Sequence, residues 1–168
     1  MSTETPCYTM VSGPFGDLLV ATDDRQALSR VWLPPAHPRP GWIRADDLPV
    51  LAEARRQLTE YFAGERRDFD LPLNPRGSDQ ARQVWQLIAE IPYGQTTSYG
   101  ELAGRFDGDL DPRDIGAFVG QNPLSIFIPC HRVVGSTGKL TGYAGGLDRK
   151  RYLLELENAI PAAPETLW

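Results

Sequence analysis

Residues 71–77 divide this chain into two parts whose hydrophobic patterns differ. The segment holds two prolines, an asparagine and a glycine, residues that interrupt helices and strands alike. Three short runs before it combine β-branched and aromatic residues between turn signals, a pattern typical of strands; they lie at 8–11, 17–22 and 27–32. Helical spacing over 48–62 then follows at Leu51, Ala54, Leu58 and Phe62. We therefore expect an N-terminal αβ lobe, 1–75, with a small antiparallel sheet and one helix.

The second part, 76–168, has mostly helical patterns. Ser78 precedes one amphipathic stretch, and Ser98 with a glutamate three residues later predicts a capped short helix. Asp111 followed by proline predicts the start of another short helix, so the pair is compatible with a helix-turn-helix. A last helix is predicted from Asp148, with three residues facing inward: Tyr152, Leu153 and Leu156. The fold class expected is α+β.

Composition narrows the functional classes. The net charge of −5 argues against a protein that holds nucleic acid by bulk charge alone. No apolar run is long enough to cross a bilayer, and the N-terminus does not resemble a secretory signal. Two widely spaced cysteines, Cys7 and Cys130, favour free thiols in a cytoplasmic protein over a disulfide scaffold.

Cys130 is followed directly by His131, and this pair could support nucleophilic chemistry. A cysteine attacks carbon as a thiolate, and a nearby imidazole can remove the proton directly or through one water. Neighbouring side chains often point apart, which favours the route through water. The dipeptide alone is weak evidence, because a small buried cysteine beside a hydrogen-bonded histidine is the more common arrangement.

The residues around this pair extend the pattern. Asn122 and Pro123 precede the run IFIPCHRVVG at 126–135, and GKLTGY and GGL follow at 138–143 and 145–147. IPYG at 91–94 and TSYGELA at 97–103 belong to the same pattern. Over about 78–157 the chain resembles the O6-alkylguanine-DNA alkyltransferases, whereas the N-terminal lobe matches only in outline. The resemblance implies transfer of an alkyl group from O6 of guanine in DNA to a cysteine, once and irreversibly.

The same resemblance implies a catalytic role for four residues. Cys130 would be the acceptor nucleophile, His131 would activate it through a water, and Glu157 would orient His131. Tyr99 would help to rotate the damaged nucleotide out of the duplex and would donate a proton to the leaving guanine.

DNA contacts and a guanine pocket are implied as well. Arg113 would fill the space left by the rotated base, and Asn122 would shape the hinge before the active-site loop; Arg132 joins them as a candidate DNA-binding residue. The guanine pocket would be lined by Val133, Ser136 and Tyr143. The partner would be double-stranded DNA with an alkylated guanine, bound through the minor groove by a monomer, with cooperative binding left open.

Some positions depart from the family pattern. Asp114 stands where a small apolar residue is usual, Phe118 and Val119 replace a small or amide-bearing pair, and the loop 107–111 is acidic. Repulsion from phosphates would weaken DNA binding, and Asp114 could pair with Arg113.

The N-terminal lobe offers only Cys7 and His37 as good zinc ligands, so we expect no structural metal. No phosphate-loop pattern is complete, so we expect no cofactor.

Two alternatives remain open from the sequence. Alkyltransferase-like proteins bind the same lesion without repairing it, but they carry another residue at the cysteine position, which Cys130 argues against. A cysteine hydrolase using Cys130 and His131 would need turnover and an oxyanion site, for which no other feature speaks.

Overall fold

The computed structural model describes residues 5–106, 108–141, 143 and 146–160. Three positions used above, Asp107, Gly142 and Gly145, lie outside the described residues, as do both chain ends. The α+β class is confirmed, because a small sheet with one helix precedes a mainly helical region. Within the described residues, no helix is long and apolar enough to span a bilayer.

The sheet has four strands in the order β3-β2-β1-β4. β1 (Cys7–Gly13) and β2 (Gly16–Thr22) form an antiparallel hairpin, and β3 (Leu28–Trp32) continues it on the far side of β2. β4 (Ile43–Arg44) pairs parallel to β1 and was not expected from the sequence. Two residues are too few to carry a recognisable alternating pattern, so β4 cannot be predicted from the sequence. Its pairing with β1 defines it as a strand.

Helix α1 (Pro49–Phe62) packs its apolar face against the sheet. Leu51, Ala54 and Leu58 are fully buried as expected. Phe62 is only half-buried, and the neighbouring Tyr61 takes the inner position instead, with 0% of its surface exposed. The inner face of α1 therefore ends on a hydroxyl-bearing side chain.

The helical region follows the predicted caps closely. The Ser78 side chain accepts from the backbone N–H of Ala81 at the start of α2 (Asp79–Ala89). After the short strand β5 (Thr97–Ser98), the Ser98 hydroxyl accepts from Glu101 N–H at the start of α3 (Tyr99–Arg105). Helix α4 is Pro112–Gly120, the short strand β6 is Val133–Val134, and α5 is Leu147–Leu156.

The inner face of α5 differs from the prediction. Leu153 is buried as expected, but Tyr152 is 39% exposed and lies edge-on against Phe15 of the N-terminal lobe. Lys150 and Leu154 are buried in its place. A lysine therefore occupies a core position of this helix.

β3 connects the two regions. Its Val31 N–H donates to the carbonyl of Pro123 at 2.8 Å, and Leu28 pairs through backbone hydrogen bonds with Pro72 and Asn74 of the 71–77 segment. One continuous apolar core runs from the sheet through α1 to the helices of the second region. The N-terminal lobe is thus packed directly behind the loop that carries Cys130.

Candidate active site around Cys130

Cys130 begins a single 3₁₀ turn, Cys130–Arg132, immediately after Pro129. Asn122 shapes the loop before it: its amide nitrogen donates to Ile128 O at 2.8 Å and its amide oxygen accepts from Leu124 N–H at 2.9 Å. Ile126 inside this loop has φ +77°, a conformation that costs a β-branched residue about 1–3 kcal/mol. These contacts hold the loop in a conformation that its own sequence disfavours.

The thiol of Cys130 lies in an enclosed, polar environment with 4% of the residue exposed. Burial raises the pKa of the thiol, while hydrogen bonds from Asn122 and Ser125 and the charge of Lys150 oppose that rise. The thiol is therefore protonated at rest, and nucleophilic attack needs a base to remove its proton.

His131 lies beside Glu157 with no exposure to solvent. Its Nε2 is 2.7 Å from Oε2 of Glu157. Burial lowers the pKa of the imidazole, with Glu157 opposing, so the ring is neutral. In a neutral ring the nitrogen facing a carboxylate carries the proton, which leaves a lone pair on Nδ1. Nδ1 is buried and no group in the described part of the chain hydrogen-bonds to it.

Glu157 is surrounded by hydrogen-bond donors. Nε and Nη2 of Arg132 lie 2.8 and 3.0 Å from its two oxygens, and the hydroxyl of Tyr61 lies 2.5 Å from Oε2. Burial would raise the pKa of this carboxyl, but hydrogen bonds from His131 and Arg132 outweigh it and bring the pKa to about 2. Glu157 therefore stays ionised and keeps its hold on His131.

Lys150 is an unexpected member of the site. Its ammonium group, with 0% of the residue exposed, donates to Val133 O at 2.5 Å and Thr141 O at 2.6 Å. Burial lowers the pKa of Lys150 to about 8, and negative charge on Cys130 would raise it. Lys150 thus connects Val133 with Thr141 and places a positive charge near the thiol.

Two phenol groups complete the surroundings of the thiol. The hydroxyl of Tyr99, the first residue of α3, donates to Thr141 O at 3.0 Å, and burial raises its pKa. The hydroxyl of Tyr143 is buried without a hydrogen bond to any described group, and burial raises its pKa well above the ordinary value. Both phenols stay protonated and can act as donors.

The expected pocket residues are found in different settings. Val133 is buried and its carbonyl is held by Lys150, whereas Ser136 is exposed on a turn closed by a hydrogen bond from Gly135 N–H to Lys139 O. A cavity of about 680 Å³ between the lobes is lined by Asn122 and Ser125, the two side chains that contact the thiol.

The structure does not support Arg132 as a DNA contact. Its third hydrogen bond goes to Ile91 O at 2.6 Å, so the buried guanidinium is used entirely within the protein. The amide of Asn122 is likewise used within the protein, where it holds its own loop and hydrogen-bonds to the thiol of Cys130. An arginine in an internal ion pair and an arginine that binds phosphate cannot be distinguished by sequence, and only burial in the structure separates the two roles.

The start of helix α4 explains two of the acidic residues, Asp111 and Asp114, which cap it. The Asp111 carboxylate accepts from Asp114 N–H at 2.9 Å, and the Asp114 carboxylate accepts from Asp111 N–H at 3.1 Å. This reciprocal capping box occupies Asp114, and no described contact links it to Arg113. Arg113 remains exposed on the first turn of α4, and the helix passes close to the ring of Tyr99 at Gly116.

No cluster of three or more possible metal ligands occurs among the residues that the structure describes.

Tyr61 and Lys150 are the functional candidates that the sequence analysis did not identify. Both lie on buried helix faces at helical spacing from residues that were recognised, Leu58 and Leu153, and that spacing was the available signal.

Comparison with known proteins gives consistent matches along the chain. Residues 7–75 match the 6-O-methylguanine DNA methyltransferase ribonuclease-like domain, and residues 79–159 match the DNA binding domain of the same family. A methylated-DNA–protein-cysteine methyltransferase of Mycolicibacterium paratuberculosis is 42% identical over 166 residues, covering 96% of this chain and 98% of that protein. One from Methanosarcina acetivorans is 38% identical and covers 90% of this chain and 98% of that protein.

A solved structure is also similar. The crystal structure of Mycobacterium tuberculosis OGT in complex with DNA superimposes with a TM-score of 0.82 at 41% identity, covering 90% of this chain and 92% of that one.

Proposed function

The chain belongs to the 6-O-methylguanine DNA methyltransferase family, and we propose that it repairs DNA by moving an alkyl group from O6 of guanine to Cys130. One observation carries the assignment of the acceptor: the buried His131, held by Glu157 at 2.7 Å, follows Cys130, and no described group hydrogen-bonds to its Nδ1. That nitrogen is available as a base next to a thiol that is protonated at rest.

The first step is removal of the thiol proton. A single water between the two side chains carries the proton from Cys130 to Nδ1 of His131, and Glu157 stabilises the imidazolium that forms. The ammonium of Lys150 and the hydrogen bonds of Asn122 and Ser125 stabilise the thiolate. Each of these groups is already oriented by the fold, so little reorganisation is needed when charge develops.

The second step is displacement at the alkyl carbon. The thiolate electron pair forms the sulfur–carbon bond, the carbon–O6 bond breaks, and its electron pair goes to the guanine. Tyr99 donates its hydroxyl proton to the guanine, and the imidazolium of His131 returns the thiol proton to the phenolate through solvent. The product is a thioether, which none of the described groups of the site can cleave, so each molecule acts once.

DNA is engaged through α4. We infer minor-groove binding by a monomer, with Arg113 entering the base stack in place of the rotated guanine. The exposed position of Arg113 and the proximity of α4 to Tyr99 support this arrangement.

We also propose that the chain consists of two lobes: the αβ lobe 1–75 and the lobe 76–168, which binds DNA and carries out the alkyl transfer. The separate family matches support this division.

Both cysteines are free, and a nucleophilic thiol needs a reducing compartment, so we infer a cytoplasmic location. The alternative of a damage-binding protein without transfer is disfavoured, because the acceptor cysteine is present with its base.

The test is incubation with a duplex carrying O6-methylguanine, followed by mass analysis of the intact protein and its peptides. We expect one methyl group on the peptide that contains Cys130. Cys130→Ser should abolish transfer, and the matched control Cys7→Ser, at the other buried cysteine, should retain it. Transfer that persists in Cys130→Ser would refute the assignment.

A further inference from the structure

The oxygen of Glu157 that holds His131 is also held by the N-terminal lobe. Oε2 receives hydrogen bonds from three groups: His131 Nε2, Arg132 Nη2 and the hydroxyl of Tyr61. Among the described residues, Arg132 Nε alone donates to Oε1. Tyr61 lies in the last turn of α1 and is separated from Glu157 by 96 residues.

We propose that Tyr61 is a positioning residue of the transfer reaction, through which the N-terminal lobe fixes the carboxylate oxygen that orients the imidazole of His131. This inference rests on the proposed function. The sequence resemblance places the chemistry in the second lobe alone, whereas the hydrogen bond makes the site incomplete without α1.

The ring of Tyr61 is held firmly enough for this role. It packs against Phe62, Phe69 and Tyr93 with ring centroids 5.5, 5.2 and 6.4 Å away. Phe69 in turn contacts Phe127, in the loop before Cys130, at 4.8 Å. The hydroxyl is therefore located from both sides by aromatic packing, and it reaches Glu157 with no exposure to solvent.

Electrostatics favour a donor at this position. Oε2 carries the charge that stabilises an imidazolium on His131, and too strong a charge there would keep the imidazole protonated. Burial beside Glu157 raises the pKa of Tyr61, so its hydroxyl stays a neutral donor throughout the working range. Among the described residues, the other ionisable groups that interact with the Glu157–His131 pair are Arg132, Tyr93, Tyr143 and Lys150.

Removal of the hydroxyl in Tyr61→Phe should have two effects. The freed carboxylate holds the imidazole less firmly, so the single-turnover rate of methyl transfer should fall about 10-fold, the size typical of lost supporting hydrogen bonds. Glu157 becomes more basic and raises the pKa of His131, so the acid limb of the rate profile should move to higher pH by about half a unit or more. Duplex affinity should stay within about twofold, because Tyr61 is buried away from solvent.

The matched control is Tyr152→Phe, which removes the hydroxyl of an exposed tyrosine on α5 that lies against Phe15 rather than against Glu157. It should keep the wild-type rate and pH profile. A double-mutant cycle with Glu157→Gln separates positioning from a structural role. If Tyr61 acts through Glu157, adding Tyr61→Phe to Glu157→Gln should cause no further loss of rate; if it only stabilises the fold, the two losses should multiply.

A measurement on the unaltered protein covers the case in which Tyr61→Phe does not fold. Proton NMR should find a slowly exchanging Tyr61 hydroxyl proton that cross-relaxes with the Nε2 proton of His131, since both point at one oxygen. A rapidly exchanging hydroxyl, a wild-type rate in Tyr61→Phe, or multiplying losses in the cycle would overturn the inference. Failure of the wild-type protein to methylate Cys130 would instead refute the proposed function.

Discussion

The guanidinium of Arg132 donates to both carboxylate oxygens of Glu157, and both side chains are buried at the centre of the site. This pair links the residue that follows His131 to the end of α5. Removing one member leaves the other as an uncompensated buried charge.

Arg132→Ala should therefore destabilise the protein by about 3–5 kcal/mol, the range for breaking a buried ion pair. Denaturant unfolding monitored by tryptophan fluorescence measures it. Arg151→Ala, an exposed arginine on the same helix as Lys150, should change the free energy of unfolding by less than about 0.5 kcal/mol. Equal stabilities of the two variants would contradict a structural role for Arg132.

The pKa of Glu157 gives stability a defined dependence on pH. Its folded value, about 2, lies below its ordinary value of 4.5, so the stabilisation is present above pH 4.5 and is lost as pH falls towards 2. The wild-type protein should lose about 3 kcal/mol over this window that Glu157→Gln does not lose. Unfolding free energies of both proteins across acid pH measure the difference, and parallel curves would show that the carboxylate is not stabilised by its neighbours.

Arg113 should matter for DNA and not for folding. Because it is exposed on α4, Arg113→Ala should leave the free energy of unfolding within about 0.5 kcal/mol. It should weaken binding to a lesion-containing duplex by about 10-fold, as the inserted side chain no longer supports the rotated base. Arg55→Ala, which removes an exposed arginine from α1, is the control in fluorescence-anisotropy titrations. Equal weakening by both variants would indicate a general charge effect.

Two substitutions at Asp114 distinguish its role as a helix cap from its electrostatic repulsion of DNA. Asp114→Asn keeps an oxygen that can accept from Asp111 N–H and removes one negative charge from α4. Stability should be preserved, and duplex affinity should rise about threefold with a steeper salt dependence. Asp114→Ala should gain the same affinity but lose about 1 kcal/mol of stability with the cap. Unchanged affinity in both variants would mean that this carboxylate does not face phosphate.

The sequence predicted the elements whose signals are local. Ser78, Ser98 and Asp111 cap their helices as their types and spacing indicate, because capping depends on side chains within three residues. Asp114 could have been recognised from the same rule, since an acidic residue three positions after a cap completes the box. Because the family pattern has a small apolar residue at this position, the sequence favoured an interpretation of Asp114 as a source of repulsion from phosphates.

Residues whose roles depend on tertiary contacts were missed. Hydrophobic patterns assign charged residues to the surface, so they favoured Tyr152 over Lys150 on α5 and gave no indication that Arg132 is buried. Tyr61 and Phe62 fit the inner face of α1 almost equally by spacing, and only the position of Glu157 selects the tyrosine. Helical spacing indicates which positions face inward, but the partners that keep a polar group buried there are distant in sequence, and no local pattern identifies them.

The most direct measurement of the central claim is the number of guanines repaired per protein molecule. Titration of the protein with excess O6-methylguanine duplex, with counting of restored guanines and of methyl groups on the Cys130 peptide, should give one of each per molecule and then stop. Repair that continues beyond one guanine per molecule, or that leaves Cys130 unmodified, would contradict irreversible transfer to this thiol.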